Sequence, residues 1–240
     1  MAALLETSTY AALGFTTRQD AAEFLVERAM PYIKELANPS LMDLGCGTGA
    51  VVMAAMRARS DLRTIAVDIS SANVRSAREK AAAAGFRNRI TAVCEDYMRW
   101  KGEKVDLIIS DSVLQLVSST NAALAARLSS DLRRGGILLA TMPIVSFGNT
   151  LIIILRRLWT LMPAVADDLV LGLATRVYPN FHPDALRERI AYMRITPVRL
   201  FSPVLVKEFS RHGLDLLSAE NLGSPSIAKL QHQLLTWRRR

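Results

Sequence analysis

Short apolar segments alternate with longer amphipathic segments between residues 40 and 142. Aliphatic and β-branched runs of this length are typical of strands that are buried on both faces of a sheet. The segments between them are rich in Ala, Leu, Arg and Glu and contain no internal proline, which favours helices. The alternation predicts a parallel sheet wrapped by helices. The predicted strands are 40–44, 64–67, 90–93, 105–109 and 136–141, and the predicted helices are 49–59, 71–84, 113–117 and 121–133.

The flanking segments complete a single α/β domain with a Rossmann-like sheet of seven strands. Residues 17–36 form an amphipathic pattern, and we interpret 1–37 as an N-terminal helical cap over the site entrance. After the core at 38–142, five prolines interrupt apolar helical pieces in 143–200, which we interpret as an inserted helical lid. Within 201–240, a helix at 204–212 and strands at 214–219 and 227–237 are predicted to complete the sheet.

Composition restricts the classes of protein. The two cysteines, Cys46 and Cys94, lack the spacing of a metal site or a disulfide framework and suit a reducing compartment. The N-terminus lacks the pattern of a signal peptide, and no apolar run reaches the roughly 20 residues that span a bilayer, so we expect a soluble, cytoplasmic protein. The net charge of +8 is concentrated in residues 141–240, where 13 basic residues face 7 acidic ones. Such a field attracts an anionic substrate, a nucleic acid or a membrane surface, although a solvated basic surface explains it equally well.

A glycine-rich loop follows the first predicted strand, in the sequence Asp43-Leu44-Gly45-Cys46-Gly47-Thr48-Gly49. Glycines where a strand turns into a helix let the backbone approach a ligand closely. The spacing also satisfies the loose dinucleotide fingerprint, so the loop alone is ambiguous. Asp43 separates the two interpretations, because a carboxylate beside the loop repels a pyrophosphate and attracts the ammonium and sulfonium of S-adenosylmethionine.

Two further carboxylates end predicted strands. Asp68 ends the second strand and is placed to accept both ribose hydroxyls, and Ile69 beside it is assigned to the same site. The alternative for Asp68 is a helix cap, a role that Ser70 already offers. Asp96 follows the third strand and is predicted to accept from the adenine amine, with Tyr97 or Met98 packed on the ring. Simple solvation of a loop is the alternative for Asp96.

At these positions the sequence resembles the class I S-adenosylmethionine-dependent methyltransferases, whose sheet ends in an antiparallel strand. The resemblance rests on residues 43–49, Asp68, Asp96, the segment 106–115 and Leu132-Arg133-Arg134-Gly135-Gly136. It is good over 38–142, weaker over 203–237 and absent from the insert. The stretch from Ser110 to Gln115 is similar to that of small-molecule members such as the trans-aconitate and malonyl-carrier-protein enzymes. It departs from the Asn/Asp-Pro-Pro-Tyr/Phe motif with which nucleobase and glutamine methylators of this superfamily hold a planar nitrogen.

The resemblance implies a cofactor site for S-adenosylmethionine. It assigns the methionine portion to Asp43 and the loop backbone, the ribose to Asp68, the adenine amine to Asp96 and the sulfonium end to Ser110. No metal is expected. The full predicted set of cofactor-binding residues is Asp43, Gly45, Cys46, Gly47, Gly49, Asp68, Ile69, Asp96, Tyr97, Ser110 and Gln115.

For catalysis, His182 and Tyr192 in the insert are candidate general bases, and Tyr10 is a candidate contact to the sulfonium; ordinary packing is the alternative for each. Apolar runs and arginines in the insert suit a small amphipathic or carboxylate-bearing methyl acceptor. Alternatively, the apolar runs form a homodimer face or a peripheral membrane contact. A nucleic-acid methyltransferase and a non-catalytic nucleotide-binding module remain as rival functions. Few aromatic residues lie among the arginines, which argues against a nucleic-acid substrate because bases stack on aromatic side chains.

Overall fold

One sheet of seven strands forms the centre of the chain in the computed structural model, which describes residues 17, 19–180, 182–222 and 230–240. Helices connect the strands on both faces, and four of the described helices follow one another between the fifth and sixth strands. The described elements are, in order, α1 (Gln19–Ala29), β1 (Ser40–Leu44), α2 (Ala50–Ala58), β2 (Arg63–Asp68), α3 (Ser71–Ala83), β3 (Ile90–Cys94), β4 (Val105–Asp111), α4 (Asn121–Asp131), β5 (Leu132–Pro143), α5 (Phe147–Thr160), α6 (Val165–Val177), α7 (Pro183–Met193), α8 (Pro203–Arg211), β6 (Leu214–Leu222) and β7 (His232–Arg239).

The strand order is β3-β2-β1-β4-β5-β7-β6, with β7 antiparallel to both of its neighbours. Strand β1 pairs in parallel with β2 on one side and β4 on the other. The chain therefore moves outward in opposite directions from β1 and β4, and a crevice opens at the carboxyl ends of these strands. The seven-stranded, Rossmann-like fold predicted from the sequence is confirmed.

Alternating side chains of the strands build a core on each face of the sheet. Met42 and Ile108 belong to one apolar cluster, while Leu41 and Leu107 beside them in sequence belong to another. The first cluster includes residues of α4 and α8 and the buried Trp237, whose ring lies 5.3 Å from that of Phe209. The second includes residues of α1 and α2. Packing on both faces explains why the strand sequences are apolar without alternation.

The helix predicted at 121–133 ends earlier, at Asp131, which corrects the sequence prediction. Leu132 already pairs with Val105 of β4, and its carbonyl accepts a hydrogen bond from the Arg239 guanidinium. Gly135 has a φ of +78° and lies inside β5, next to a shift in the β4–β5 register. Here the positive φ accommodates an irregularity in a strand, where the sequence analysis expected the end of a helix.

The short helix predicted at 113–117 is also absent from the described residues, because the segment forms a turn. Ser112 has a φ of +57°, which interrupts a helical path, and Leu116 donates to the carbonyl of Val113. The carbonyl of Gln115 accepts from Val198, so the turn is held by the chain that returns from the insert. Of the strand predicted at 227–237, the described part begins at His232 and extends to Arg239, and residues 223–229 lie outside the described residues.

The insert, residues 143–200, contains helices α5, α6 and α7. It is anchored to the sheet at both ends. Ile144 and Phe201 form a β-bridge, and the Asn149 amide donates to the carbonyls of Ile144 and Gln231. Among the described residues no helix is long and apolar enough to cross a membrane. The function of the insert as a lid stays a prediction.

Candidate functional site

The glycine loop adopts a conformation that side chains would not tolerate. Gly45, Gly47 and Gly49 have φ values of +78°, +50° and +87°. A Cβ atom built on Gly45 would lie 2.2 Å from Cγ2 of Val113. Glycine is the residue that reaches such conformations without steric cost, so the loop sequence is explained by its backbone geometry. The loop leads directly into α2, with Gly49 as the residue that precedes its first turn.

Asp43 lies at the carboxyl end of β1 and is only 2 % exposed. Its Oδ2 atom is buried and has no hydrogen-bond partner in the described structure. Burial raises the pKa of this carboxyl well above its usual value, and the neighbouring charges of Asp111 and Asp68 raise it further, against an opposing hydrogen bond from the Val52 backbone. A buried carboxylate among like charges is costly, and a cation placed beside it would remove that cost.

Asp68 lies at the end of β2 and is directed towards the glycine loop. Its Oδ2 accepts from the backbone NH of Gly47 at 2.8 Å, and its Oδ1 accepts from Ser70 at 2.8 Å. The cap of α3 is supplied by Ser70, whose hydroxyl accepts from the NH of Asn73. The alternative role of Asp68 as that cap is therefore taken by Ser70. Asp68 is half-buried at the crevice edge, where its carboxylate retains lone pairs for a ligand's hydroxyl groups.

The candidate adenine side of the crevice combines an exposed apolar residue with a carboxylate. Ile69 is exposed after Asp68, and the half-buried Asp96 forms a tight turn by accepting from Met98 through Oδ1. Tyr97 has a different environment from the one expected. Its ring belongs to the core cluster, and its hydroxyl donates to Asp131 of α4 at 2.9 Å. Tyr97 therefore packs in the core, and the half-buried Met98 also packs against that cluster.

Ser110 is fully buried in β4 and donates to the carbonyl of Leu44 in β1. This contact ties the two strands together, which differs from the predicted contact to a sulfonium. Gln115 is also buried. Its amide donates to the Ser112 carbonyl, while its Oε1 has no hydrogen-bond partner in the described structure. Cys46 is buried in the loop, and burial raises the pKa of its thiol, so it contributes a neutral thiol to the site.

A network around Asp111 was not singled out by the sequence analysis. Asp111 ends β4, and its Oδ1 accepts from the hydroxyl of Thr141 in β5 at 2.6 Å. Its Oδ2 accepts from Thr17, 94 positions earlier in the chain, at 2.9 Å. Ser112 also donates to Thr141 through its backbone NH. The available sequence signal was a polar residue close to the carboxyl end of each strand, and the parallel register pairs Asp111 with Thr141 at one edge of the sheet.

Two of the three candidate catalytic residues lie in or next to α7 of the insert, and the third lies outside the described residues. His182 is exposed and immediately precedes α7, and Tyr192 lies within α7. Tyr10 lies outside the described residues. The catalytic roles of these three residues stay predictions. Within the described part of the chain, no group of three or more His, Cys, Asp or Glu residues could hold a metal ion.

Comparison with known proteins finds a family match for the core of the chain. Residues 41–136, from β1 into β5, match a family model described as a methyltransferase domain. A release factor glutamine methyltransferase of Cereibacter sphaeroides is 37% identical over 78 residues, which cover 32% of this chain and 28% of that protein. A tRNA1(Val) (adenine(37)-N6)-methyltransferase of Aeromonas hydrophila is 35% identical over 72 residues, 30% of each chain. The matches thus span less than a third of these curated relatives.

A solved structure extends the likeness to most of the chain. The magnesium protoporphyrin IX methyltransferase of Synechocystis PCC 6803, with bound S-adenosylhomocysteine, matches with a TM-score of 0.61 and 17% identity. The match covers 92% of this chain and 83% of that one. At this identity the likeness shows the fold. Residues 41–136 therefore match a methyltransferase domain, and the chain shares its fold with this S-adenosylhomocysteine-bound structure.

Proposed function

We propose that this chain binds S-adenosylmethionine at the carboxyl edge of β1, β2 and β4 and transfers its methyl group to a small organic acceptor. The observation that carries the proposal is the buried Asp43 carboxyl, whose unpartnered Oδ2 lies beside a loop of three positive-φ glycines. An ammonium group satisfies that oxygen and offsets the charges of Asp68 and Asp111. A pyrophosphate would add negative charge at the same place, so the site suits a cationic nucleoside without phosphate.

The residues fit each portion of this cofactor. Asp43 pairs with the ammonium group, Asp68 accepts from the ribose hydroxyls, and Asp96 accepts from the adenine amine while Ile69 covers the ring. The bound cofactor supplies a methyl group on a positively charged sulfur. The protein's contribution is then to align the acceptor with that methyl group and to exclude water, and such positioning is worth on the order of 7–11 kcal/mol.

A small acceptor is supported by the end of β4 and by the insert. The residues after Ile109 are Ser110-Asp111-Ser112-Val113, which do not include the paired prolines used by the nucleobase and glutamine methylators. Three helices of the insert follow β5 at the carboxyl edge and combine apolar residues with arginines. In this proposal the sides of these helices that do not face solvent line the acceptor site, because apolar walls with a few cationic groups suit an amphipathic or carboxylate-bearing molecule. The relatives that act on a release factor and a tRNA share only a core segment with this chain.

Calorimetry tests the cofactor assignment. S-Adenosylhomocysteine should bind to the purified chain, and NAD should not bind under the same conditions. Replacing Asp43 with Asn should remove most of the S-adenosylhomocysteine affinity, because Asn lacks the charge that pairs with the ammonium group. Binding of NAD in preference to S-adenosylhomocysteine would overturn the assignment.

Methyl transfer and acceptor class need a separate measurement. The chain is incubated with S-adenosylmethionine carrying an isotopically labelled methyl group and, in parallel, with a metabolite extract, bulk tRNA or total protein. We expect the label in small organic molecules, identified by mass spectrometry. Label in tRNA would instead favour a nucleic-acid methyltransferase that uses its basic C-terminal half to bind phosphates. In that case tRNA labelling should decrease steeply as salt is added. Binding of the cofactor with no transfer to any fraction would favour the non-catalytic module.

A further inference from the structure

Helices α5 and α6 both expose apolar side chains to solvent. We define the apolar face of the insert by the exposed side chains of Leu151, Ile154, Leu158, Leu161, Leu169 and Leu173. The first four follow each other at intervals of three and four residues, so they form one stripe along α5. Leu161 is 80 % exposed and Leu169 is 72 % exposed. Isolated exposed leucines are ordinary, but a continuous apolar stripe of this kind marks an interaction surface.

The inward side of α5 supports this interpretation. Its buried residues are Asn149, Ile153 and Arg156, two of which are polar or charged. In a helix that packs only against its own domain, the apolar residues face the core and the polar residues face water. In helix α5, by contrast, most of the large apolar side chains face solvent and two of the three buried residues are polar or charged. Helix α6 buries Ala166, while its Leu169 and Leu173 are exposed and its Leu171 is half-buried.

The charges around the apolar face of the insert indicate the chemistry of its partner. Residues 145–166 contain no acidic side chain. Arg157 is exposed and lies one helical turn from both Ile154 and Leu161, and Arg176 is exposed one turn from Leu173. In α6, Asp167 is already paired with Arg194 at 2.7 Å, and the exposed Asp168 lies in the first turn, where a carboxylate stabilises the helix. The rim of the face is therefore basic.

We propose that the apolar face of the insert docks onto an anionic membrane surface. Apolar side chains enter the boundary between headgroups and acyl chains, and the rim arginines meet anionic headgroups while their stems cover the apolar surface. A second copy of the chain fits less well, because two-fold symmetry brings the same basic rim together twice. Helix α5 begins four residues after β5 ends at the carboxyl edge of the sheet, so docking brings the membrane next to the candidate site. The proposal does not depend on methyl transfer.

Vesicle sedimentation of the full chain tests docking. The probes are vesicles of phosphatidylcholine alone and of phosphatidylcholine mixed with phosphatidylglycerol. The wild type should sediment with the mixed vesicles, bind the neutral ones less, and lose binding as salt is added. The double variant Ile154→Asp/Leu158→Asp should reduce partitioning about tenfold or more, because it removes two apolar contacts. The control Leu36→Asp/Leu217→Asp makes the same charge change at exposed apolar positions outside the insert and should bind like the wild type.

A second pair of variants tests the basic rim. Arg157→Gln/Arg176→Gln should weaken binding to anionic vesicles by about fivefold for each arginine, while Arg57→Gln/Arg75→Gln, with the same net charge, should have a smaller effect. Circular dichroism of each variant confirms that it is folded, so this test does not use the proposed cofactor binding. The proposal is overturned if the wild type does not bind anionic vesicles, or if the control pairs lose binding equally. It is also overturned if light scattering shows a dimer that Ile154→Asp/Leu158→Asp dissociates.

Discussion

The backbone NH of Gly47 donates a hydrogen bond of 2.8 Å to Oδ2 of Asp68, so the carboxylate predicted to hold a ribose also fixes the glycine loop. The same side chain accepts from the NH of Ser70 and from the amide of Asn73. One residue at the end of β2 therefore connects two parts of the crevice, the loop and the start of α3. Under the proposed function, Asp68 is therefore both a structural residue and a binding residue.

Replacing Asp68 with Ala should weaken S-adenosylhomocysteine binding by about 10- to 150-fold, since hydrogen bonds to a charged group are worth roughly 1.5–3 kcal/mol. It should also lower the free energy of unfolding, because the NH groups of Gly47 and Ser70 lose their acceptor. Calorimetry measures the first effect and urea denaturation the second. Ser70→Ala is the control: it removes the cap of α3 at a cost of about 1 kcal/mol in stability and should leave affinity nearly unchanged. Unaltered affinity in Asp68→Ala would exclude Asp68 from the site.

Asp43→Asn should separate stability from binding. In the free protein the carboxylate of Asp43 is buried beside other acids, so a neutral amide should raise the free energy of unfolding at neutral pH by roughly 1 kcal/mol, or about 2–4 °C in Tm. The same change removes the partner of the ammonium group and should abolish most cofactor binding. Thermal unfolding with and without S-adenosylhomocysteine measures both effects. A variant that is less stable than the wild type and binds normally would contradict the assignment of Asp43.

The pH dependence of cofactor affinity should follow from the raised pKa of Asp43. Below that pKa the free site holds a proton, which must leave before the carboxylate can pair with an ammonium group, so affinity should fall as the pH falls. Binding should then release a proton, which calorimetry detects by repeating the titration in buffers of different ionisation enthalpy. Asp43→Asn should show no such release.

The effect of pH on the stability contribution of Asp43 has the opposite sign to its effect on cofactor affinity. Because the folded state binds this proton more tightly than the unfolded state, the contribution of Asp43 to stability should decrease as the pH rises from the unfolded value of about 3.9 through the raised folded pKa. The difference in unfolding free energy between the wild type and Asp43→Asn isolates this contribution from the other acids. A difference that stays constant over this range would contradict it.

The pattern of apolar residues predicted the sheet because strands buried on both faces have a distinctive sequence. Strand β1 was predicted with its observed bounds, and the landmarks Asp43 and Asp68 were placed correctly at strand ends. The helix that ends at Asp131 was predicted two residues too long, since its end depends on pairing between Leu132 and Val105, which are distant in sequence. Local propensity contains no information about such a contact.

The candidate site was predicted less completely than the fold for the same reason. Tyr97 follows Asp96 in sequence, and nothing local shows that its hydroxyl finds Asp131 across the core. Asp111 accepts hydrogen bonds from Thr17 and Thr141, which lie 94 and 30 positions away in the sequence. Networks of this kind depend on strand order, so they become visible only when the sheet is assembled.

Gly45→Ala should destabilise the protein for two reasons that a control can separate. The first is strain, since a residue with a side chain at a φ of +78° costs about 1–2 kcal/mol. The second is a clash, because the new Cβ would lie 2.2 Å from Cγ2 of Val113. Gly85→Ala provides the control: its φ is +79°, and no atom lies within 4 Å of the added Cβ.

Gly45→Ala should therefore lower the free energy of unfolding by clearly more than Gly85→Ala, the difference being on the order of 1–3 kcal/mol for an overpacked site. Only the change at Gly45 should also weaken S-adenosylhomocysteine binding, since Gly85 follows α3 away from the loop. Urea denaturation and calorimetry on the two variants give both comparisons. Adding Val113→Ala to Gly45→Ala should restore the part of the stability that was lost to the clash and leave the φ strain. If Gly45→Ala and Gly85→Ala lose equal amounts of unfolding free energy, the loop can move away from Val113. The contact with Val113 is then not the reason why position 45 requires a glycine.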